Sequence, residues 1–448
     1  MEIGKLNEWN PWWENKELIE ELRGQARPTY NLLVNSVNLR EVTIITGVRR
    51  SGKSTLMYQM VYDLLKKGLD PKQILFVNLE DVALADNPLD EIYNSYRENV
   101  NLDKKAYIFL DEIHRRARWE SWIRKKHDLK TKDKFVISGS CSYLLKKEYS
   151  ALLTGRNLMF EIFPLSYKEF LLFKGIGINE NNIKKGILLD KTRLAILKNL
   201  KEYIVLGGFP QLIFTQEEYK TKLLKQYFDD ILYKDIVDRY DLDVQKAKDL
   251  ALFLITNFTS LISLRSLRNT LKISYDTVKD YVSYYTEAFL FFTLDYFSYS
   301  LNEQKTRPSK IYCIDNGLRN AVSFKFSKDE GKLAENLVFL ELKRRDCDIY
   351  YWKNKAEVDF IIKDIDKLTA INVTFSSEIN KREVKSLLEF KGSFKKQAKK
   401  PIKLITITKD LEIRSDGISF VPLWKWLLLA PRQGMAQNSR FPLHLPLC

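Results

Sequence analysis

Val42-Thr43-Ile44-Ile45-Thr46-Gly47-Val48-Arg49-Arg50-Ser51-Gly52-Lys53-Ser54-Thr55 is the stretch from which the rest of the chain is read. An apolar, β-branched run predicts a buried strand. The segment after Ser54 keeps a helical period to Lys67, and Gly68 reads as the helix stop. Between them lies Gly47-x-x-x-x-Gly52-Lys53-Ser54, a phosphate-binding pattern set between a strand and a helix. The two glycines let backbone N–H groups converge on one anion, and the helix N-terminus adds partial positive charge. Gly47 to Thr55 therefore form the candidate nucleotide cradle. Lys53 reaches toward the β/γ-phosphates, and the Ser54 hydroxyl is a ligand for Mg²⁺.

A second motif follows downstream. Ala106-Tyr-Ile-Phe-Leu-Asp111-Glu112 is an apolar strand that ends in two acids. Its carboxyl end would set Asp111 beside the metal held by Ser54 and Glu112 where it can activate a water. Gln73–Glu80 and Lys134–Ser140 read as two further buried strands. Ser140 is a candidate γ-phosphate contact at the polar end of the second, and Ser138 is an alternative to it. Arg156, just before the strand Leu158–Phe163, is a candidate donor of charge to a phosphoryl transition state, with a surface-turn arginine as the competing reading. Strands alternating with helices predict an α/β fold with a parallel sheet covered on both faces. Asn10-Pro11-Trp12-Trp13 is expected to pack on that core, since large aromatics contribute chiefly by the area they bury.

Composition bounds the alternatives. With 448 residues, about three domains are expected at roughly 150 residues each. An apolar content of 45% supports real cores, and no apolar run is long enough to cross a bilayer. Cys141, Cys313, Cys347 and Cys448 are scattered, which argues against a metal knuckle or a disulfide framework. With no secretory pattern at the N-terminus, a cytoplasmic setting follows. The net charge of +15 suits a polyanion such as double-stranded DNA as partner, and a lysine-rich solvated surface equally well.

GVRRSGKST, YIFLDEIH, ISGSCSYLL, ALLTGR, FEIFPLSYKEF and YIVLGGFP, in this order, resemble the AAA-like P-loop ATPases related to the STAND class in archaea and bacteria. The resemblance implies ATP and Mg²⁺ as cofactors. It also implies that one more strand lies in space between the phosphate-loop strand and the Asp-Glu strand. The expected domains are an ATPase core with its entry segment (1–174), a helical lid (175–260), a winged-helix-like domain (261–310) and a last α/β domain (311–430). Residues 431–448 are expected to be a disordered tail. Helices are expected over Asp190–Leu206, Lys220–Tyr240 and Val244–Asn257. Ser263–Leu271, a turn at Lys272-Ile273-Ser274 and Tyr275–Tyr285 read as a helix-turn-helix, either a DNA reader or a packing module.

The last domain looks like the PD-(D/E)xK nuclease fold. Glu335 on a helix and Asp359 in Glu357-Val-Asp-Phe match its acids, but Asn372 and Thr374 stand where an acid and a lysine are needed. A nuclease-like domain that has lost its chemistry is expected. Lys381–Lys403 carries nine Lys or Arg against two Glu, fit to track phosphates or to face solvent. The leading expectation is a Mg²⁺-dependent ATPase acting as a nucleotide-driven switch, hydrolysing ATP to ADP and phosphate, associated with DNA and able to form a homo-oligomer. An ATP-gated DNA-binding regulator or mobile-element factor is the first alternative, and an active nuclease the second.

Overall fold

The computed structural model describes residues 2–141, 155–323, 329–395, 397 and 400–429. The chain divides into two compact units. The first is Met1–Pro164 with Glu287–Phe289, and the second is the remainder from Leu165 on. The tail read at 431–448 and most of the ALLTGR stretch lie outside the described residues.

In the first unit the apolar runs become five parallel strands: β1 (Val42–Thr46), β2 (Ile74–Asn78), β3 (Tyr107–Asp111), β4 (Lys134–Gly139) and β5 (Asn157–Glu161). Their spatial order is β2-β3-β4-β1-β5, so β4 lies between β1 and β3 as the resemblance implied. Side chains alternate across the sheet. Val42 and Ile44 enter one apolar layer with Leu110 and Ile137, whereas Ile45 enters the other with Leu56, Met60 and Phe109. The sheet is thus buried on both faces, which explains why its strands read as near-continuous apolar runs. The helix after β1 spans Lys53–Lys66, and Gly68 follows with φ +87°.

β2 is an edge strand, and the N-terminal arm covers its open side. The Asn10 amide donates to the Phe76 carbonyl (2.8 Å) and accepts from the Phe76 N–H (2.7 Å), doing what a neighbouring strand residue would do. The Trp13 indole donates to the Ile74 carbonyl at 2.8 Å. Trp12 is fully buried, edge-on to Tyr58 and Phe76. An exposed edge is a template for unwanted pairing, and this arm removes it.

The second unit opens with helices Tyr167–Phe173, Asp190–Leu206 and Glu217–Asp230. The single helix expected over 220–240 instead widens into a π-helical stretch, Ile231–Val237, before a last turn Asp238–Tyr240. Helix Val244–Thr256 follows, then β6 (Leu261–Ile262), helices Leu264–Leu271 and Tyr275–Glu287, and strands β7 (Phe291–Leu294) and β8 (Ser309–Cys313). Ser263 and Ser274 cap the two helices through their hydroxyls. β8 pairs antiparallel with both β6 and β7. β8 thus crosses the boundary expected at position 311 for the last α/β domain and belongs to this small sheet.

Beyond it, helix Glu330–Arg344 precedes strands β9 (Ile349–Lys353), β10 (Glu357–Lys363), β11 (Leu368–Val373), β12 (Ile402–Thr408), β13 (Ile413–Ser415) and β14 (Ile418–Pro422). They form one sheet in the order β13-β14-β12-β11-β10-β9. Phe297 N–H donates to the Tyr351 carbonyl at 2.7 Å, joining the segment after β7 to the β9 edge. A buried polar knot ties these parts together. Asp315 accepts from the N–H groups of Gly208 (2.7 Å), Gly317 (2.7 Å) and Leu318 (3.3 Å). Asn336 bonds both the N–H and the carbonyl of Cys313 and the side chain of Asn316. At Gly207 a Cβ would lie 1.9 Å from the Asp315 carboxylate, so no other residue fits the Gly207-Gly208 break.

Candidate functional site

The phosphate loop is shaped by what its glycines avoid. Gly47 has φ +146°, and a Cβ there would lie 2.1 Å from the Ile162 carbonyl oxygen. Gly52 has φ +96° and turns the chain into helix Lys53–Lys66, whose first turn carries no acid. Arg50 between them is also left-handed, at φ +67°. Val48 and Ser51 are buried, and the Ser51 hydroxyl has no partner among the described residues. Thr55 lies one residue beyond Ser54 in the helix. Lys53 is almost fully buried and folds over the loop. Its Nζ donates to the carbonyls of Gly47 (3.1 Å) and Val48 (3.2 Å) and lies 3.7 Å from Glu112 Oε1.

β3 brings its two acids to this point. Ser54 Oγ donates to Asp111 Oδ2 at 2.5 Å, and Ser138 Oγ donates to Asp111 Oδ1. Burial, and then the neighbouring Glu112 charge, push the Asp111 carboxyl up to about 6. Glu112 leaves the strand left-handed (φ +54°), a conformation costly for a residue with a Cβ and common where side chains must be aimed. Its N–H donates to Ser138 Oγ at 3.1 Å. Its Oε2 accepts from the Ser140 N–H at 3.0 Å and lies 3.3 Å from His114 Nδ1. Ser140 thus meets the site through its backbone, and Ser138 is the hydroxyl between the two acids.

Arg49 is held by an acid that follows β2. Its guanidinium grips both oxygens of Glu80 (3.0 and 2.8 Å), and Arg115 adds a bond of 2.6 Å to the same carboxylate. Burial works against the Glu80 charge, but the two guanidiniums, Arg49 first, outweigh it and hold the carboxyl down at about 2. Arg156 corrects an expectation. β5 runs parallel to β1 with Asn157 beside Val42, and the Val42 N–H donates to the Arg156 carbonyl. Arg156 therefore lies at the start of the strands, whereas the phosphate loop lies at their ends. Its side chain is paired with Asp128 at 2.9 Å, so it lends no charge to the loop of its own chain.

Sequence reasoning missed Arg27. Buried beneath the loop, it donates to the Ser51 carbonyl (2.7 Å) and the Phe163 carbonyl (3.1 Å). Its partners are distant in sequence, and it belongs to no motif.

The second unit holds its own cluster. Glu335 and Asp359 do meet, but around a lysine that the spacing did not suggest. Lys310 Nζ on β8 lies 2.9 Å from Glu335 Oε1, 2.7 Å from Glu357 Oε1 and 3.3 Å from Asp359 Oδ1. Asn372, at the expected acid position, is fully buried. Its Oδ1 accepts from the Asp359 N–H, and its amide donates to the Glu383 carboxylate and Ser386 Oγ. Burial pushes the Glu383 carboxyl up to about 7.

Comparison with known proteins follows the two units. Residues 39–171 match the family described as AAA domain. Residues 197–329 and 330–426 each match a domain of unknown function (DUF8612 and DUF4143). The chain is 35% identical over 413 residues to the uncharacterized protein MJ1544 of Methanocaldococcus jannaschii, covering 87% of this chain and 88% of that one. It is 30% identical over 396 residues to an uncharacterized protein of Haemophilus influenzae, covering 86% and 94%. Among solved structures, a Walker-type ATPase of Pyrococcus abyssi aligns with 66% of this chain and 95% of its own at 10% identity, with a TM-score of 0.42. The chain belongs to the family of MJ1544, with an AAA domain as its first part.

Proposed function

From this membership we propose that the chain is a Mg²⁺-dependent ATPase that hydrolyses ATP to ADP and phosphate and works as a nucleotide-driven switch. The observation that carries the reading is the convergence of Lys53, Ser54, Asp111 and Glu112 at one loop. The residues fit the nucleotide. Gly47 and Gly52 give the backbone the curvature of a cradle, and the Ser51 hydroxyl in the same loop is buried and without a partner among the described residues. They also fit the metal, since Ser54 Oγ and Asp111 Oδ2 already share one point. Bound there, Mg²⁺ would neutralise charge developing on the phosphate oxygens.

Lys53 exchanges its loop carbonyls for phosphate oxygens and holds the γ-phosphoryl group in place. Glu112, aimed by the Ser140 N–H and by its left-handed backbone, orients the attacking water and takes its proton. Ser138 holds Asp111 and the Glu112 backbone in register. Glu112→Gln keeps the shape but cannot accept the proton. It should bind a fluorescent ATP analogue as tightly as the parent and turn over at least about 10²-fold more slowly. Lys53→Ala should lose nucleotide binding. Parental turnover by Glu112→Gln would remove Glu112 as the base.

A second reading gives the switch an output on DNA. Helix Val244–Thr256, β6, the two Ser-capped helices and the β7–β8 hairpin follow the order of a winged helix. Asp276, Lys279 and Asp280 are exposed on the second capped helix, and Lys381, Arg382, Lys385 and Lys395 are exposed on and just after helix Lys381–Phe394. Retention on duplex DNA that weakens with salt and depends on ATP supports this reading, and no retention at low salt removes it.

A further inference from the structure

The acidic cluster of the second unit has the composition of a divalent-metal site and the wiring of something else. Three carboxylates, from Glu335 on helix Glu330–Arg344 and from Glu357 and Asp359 on β10, surround one point. That point is filled by this chain's own Lys310. An ammonium has three N–H donors, and here each carboxylate has an oxygen within 3.3 Å of the nitrogen. The second oxygens of two of them are engaged as well: Asp359 Oδ2 accepts from the Val373 N–H at 2.9 Å, and Glu357 Oε2 lies 3.0 Å from Lys353. Glu335 Oε1, which meets Lys310, also accepts from the Tyr312 hydroxyl at 2.7 Å. Among the described residues, no group of three or more acids, histidines and cysteines is arranged to hold a metal ion.

We propose that Lys310 is a resident cation: its ammonium holds the place that a divalent metal takes in a PD-(D/E)xK nuclease, which closes this pocket to metal-dependent phosphodiester cleavage and makes it a clamp between β8 and the six-stranded sheet. The side chain has no way out. It is 2% exposed, on a strand paired on both sides, and Tyr312, two residues along the same strand face, is stacked on Phe339 with ring centroids 4.0 Å apart. Charge agrees with the geometry. Burial alone would strip the proton from Lys310, but Glu335 and the other acidic neighbours outweigh it and hold its pKa well above the usual lysine value. A metal could reach these three carboxylates only by displacing a buried ammonium that already neutralises part of their charge. The inference stands on the second unit alone, whether or not the first hydrolyses ATP.

The test is Mn²⁺ binding by the full chain without nucleotide, in an Asp111→Asn background that silences the phosphate-loop metal position. Free Mn²⁺ is read by electron paramagnetic resonance, with terbium luminescence excited through Tyr312 as the local probe. The Lys310-containing protein is expected to show no Mn²⁺ binding that Asp359→Asn removes, and no nicking of plasmid DNA. Lys310→Ala is expected to gain a site about tenfold or more tighter than any in its parent, which Asp359→Asn abolishes. If Lys310→Ala does not fold, the charge-matched pair Lys310→Ala/Glu357→Gln takes its place, keeping Glu335 and Asp359. An Asp359-dependent Mn²⁺ site or DNA cleavage with Lys310 in place would overturn the proposal. So would a folded Lys310 variant that gains no site.

Discussion

Replacing Asn10 by alanine removes one small side chain and leaves two buried backbone groups, the N–H and carbonyl of Phe76, without partners, while the Leu6 carbonyl keeps the Trp9 N–H. The amide donates to the carbonyls of Leu6 (2.7 Å) and Phe76 (2.8 Å) and accepts from the Phe76 N–H (2.7 Å), in a site where Asn10 is 1% exposed and Phe76 fully buried. A buried polar group stripped of its partner costs about 1–3 kcal/mol. With the Leu6 carbonyl still bonded to the Trp9 N–H, the two Phe76 groups alone give a loss of about 2–6 kcal/mol. That is a large share of the roughly 5–15 kcal/mol by which domains are stable. The assay is urea unfolding of the first unit, with hydrogen exchange at the Phe76 amide as the local readout. Asn10→Ala should lower the midpoint and bring Phe76 exchange forward before global unfolding. Asn10→Asp should do worse, since it sets a carboxylate against two carbonyls. A change below about 0.5 kcal/mol with Phe76 exchange unaltered would refute the idea that this amide completes the sheet edge.

Other outcomes follow from geometry already described. Arg156→Ala should leave the ATPase rate of dilute protein within about twofold of the parent, because the arginine lies at the far end of β5, and a loss of about 10²-fold or more would contradict that. Gly47→Ala should abolish nucleotide binding while the second unit keeps its melting transition, since its Cβ would meet the Ile162 carbonyl. Asp315 is pushed up to about 6 by burial, against its three backbone donors. A carboxyl raised in the fold stabilises most below its unfolded value near 4 and loses that contribution as pH rises through about 6. The stability of the parent minus that of Asp315→Asn should fall by about 2 kcal/mol from pH 4 to pH 7 in denaturant titrations, and a flat difference would refute the shift.

What was legible in the sequence was what the chain keeps local or repeats by rule. Gly47 to Ser54 is one turn of backbone, and Asp111 comes to Ser54 because parallel strands end on the same side of a sheet. Helix Asp190–Leu206 was readable to the residue because its period and its Gly207 stop agree. Arg156 could have been placed by the same rule that served Asp111: a residue before a parallel strand sits at the end opposite the loop. Asn10 was opaque for another reason. Its partner is 66 residues away, and an asparagine that imitates a strand looks no different from one in a turn. Lys310 was missed because the lysine was sought after Asp359, on the next strand. It comes instead from β8, 49 residues upstream, across a contact that no spacing encodes. The π-helical widening at Ile231–Val237 has no signature in the residues that form it.

The phosphate loop is fastened twice to one short length of chain. Gly47 lies flush against the Ile162 carbonyl, and Arg27 spans from the Ser51 carbonyl to that of Phe163. Both anchors grip the last residues of the first unit, just before Pro164. A change in the curvature of this loop would therefore press first on Ile162 and Phe163, where the chain leaves the first unit, with Arg27 bridging the two.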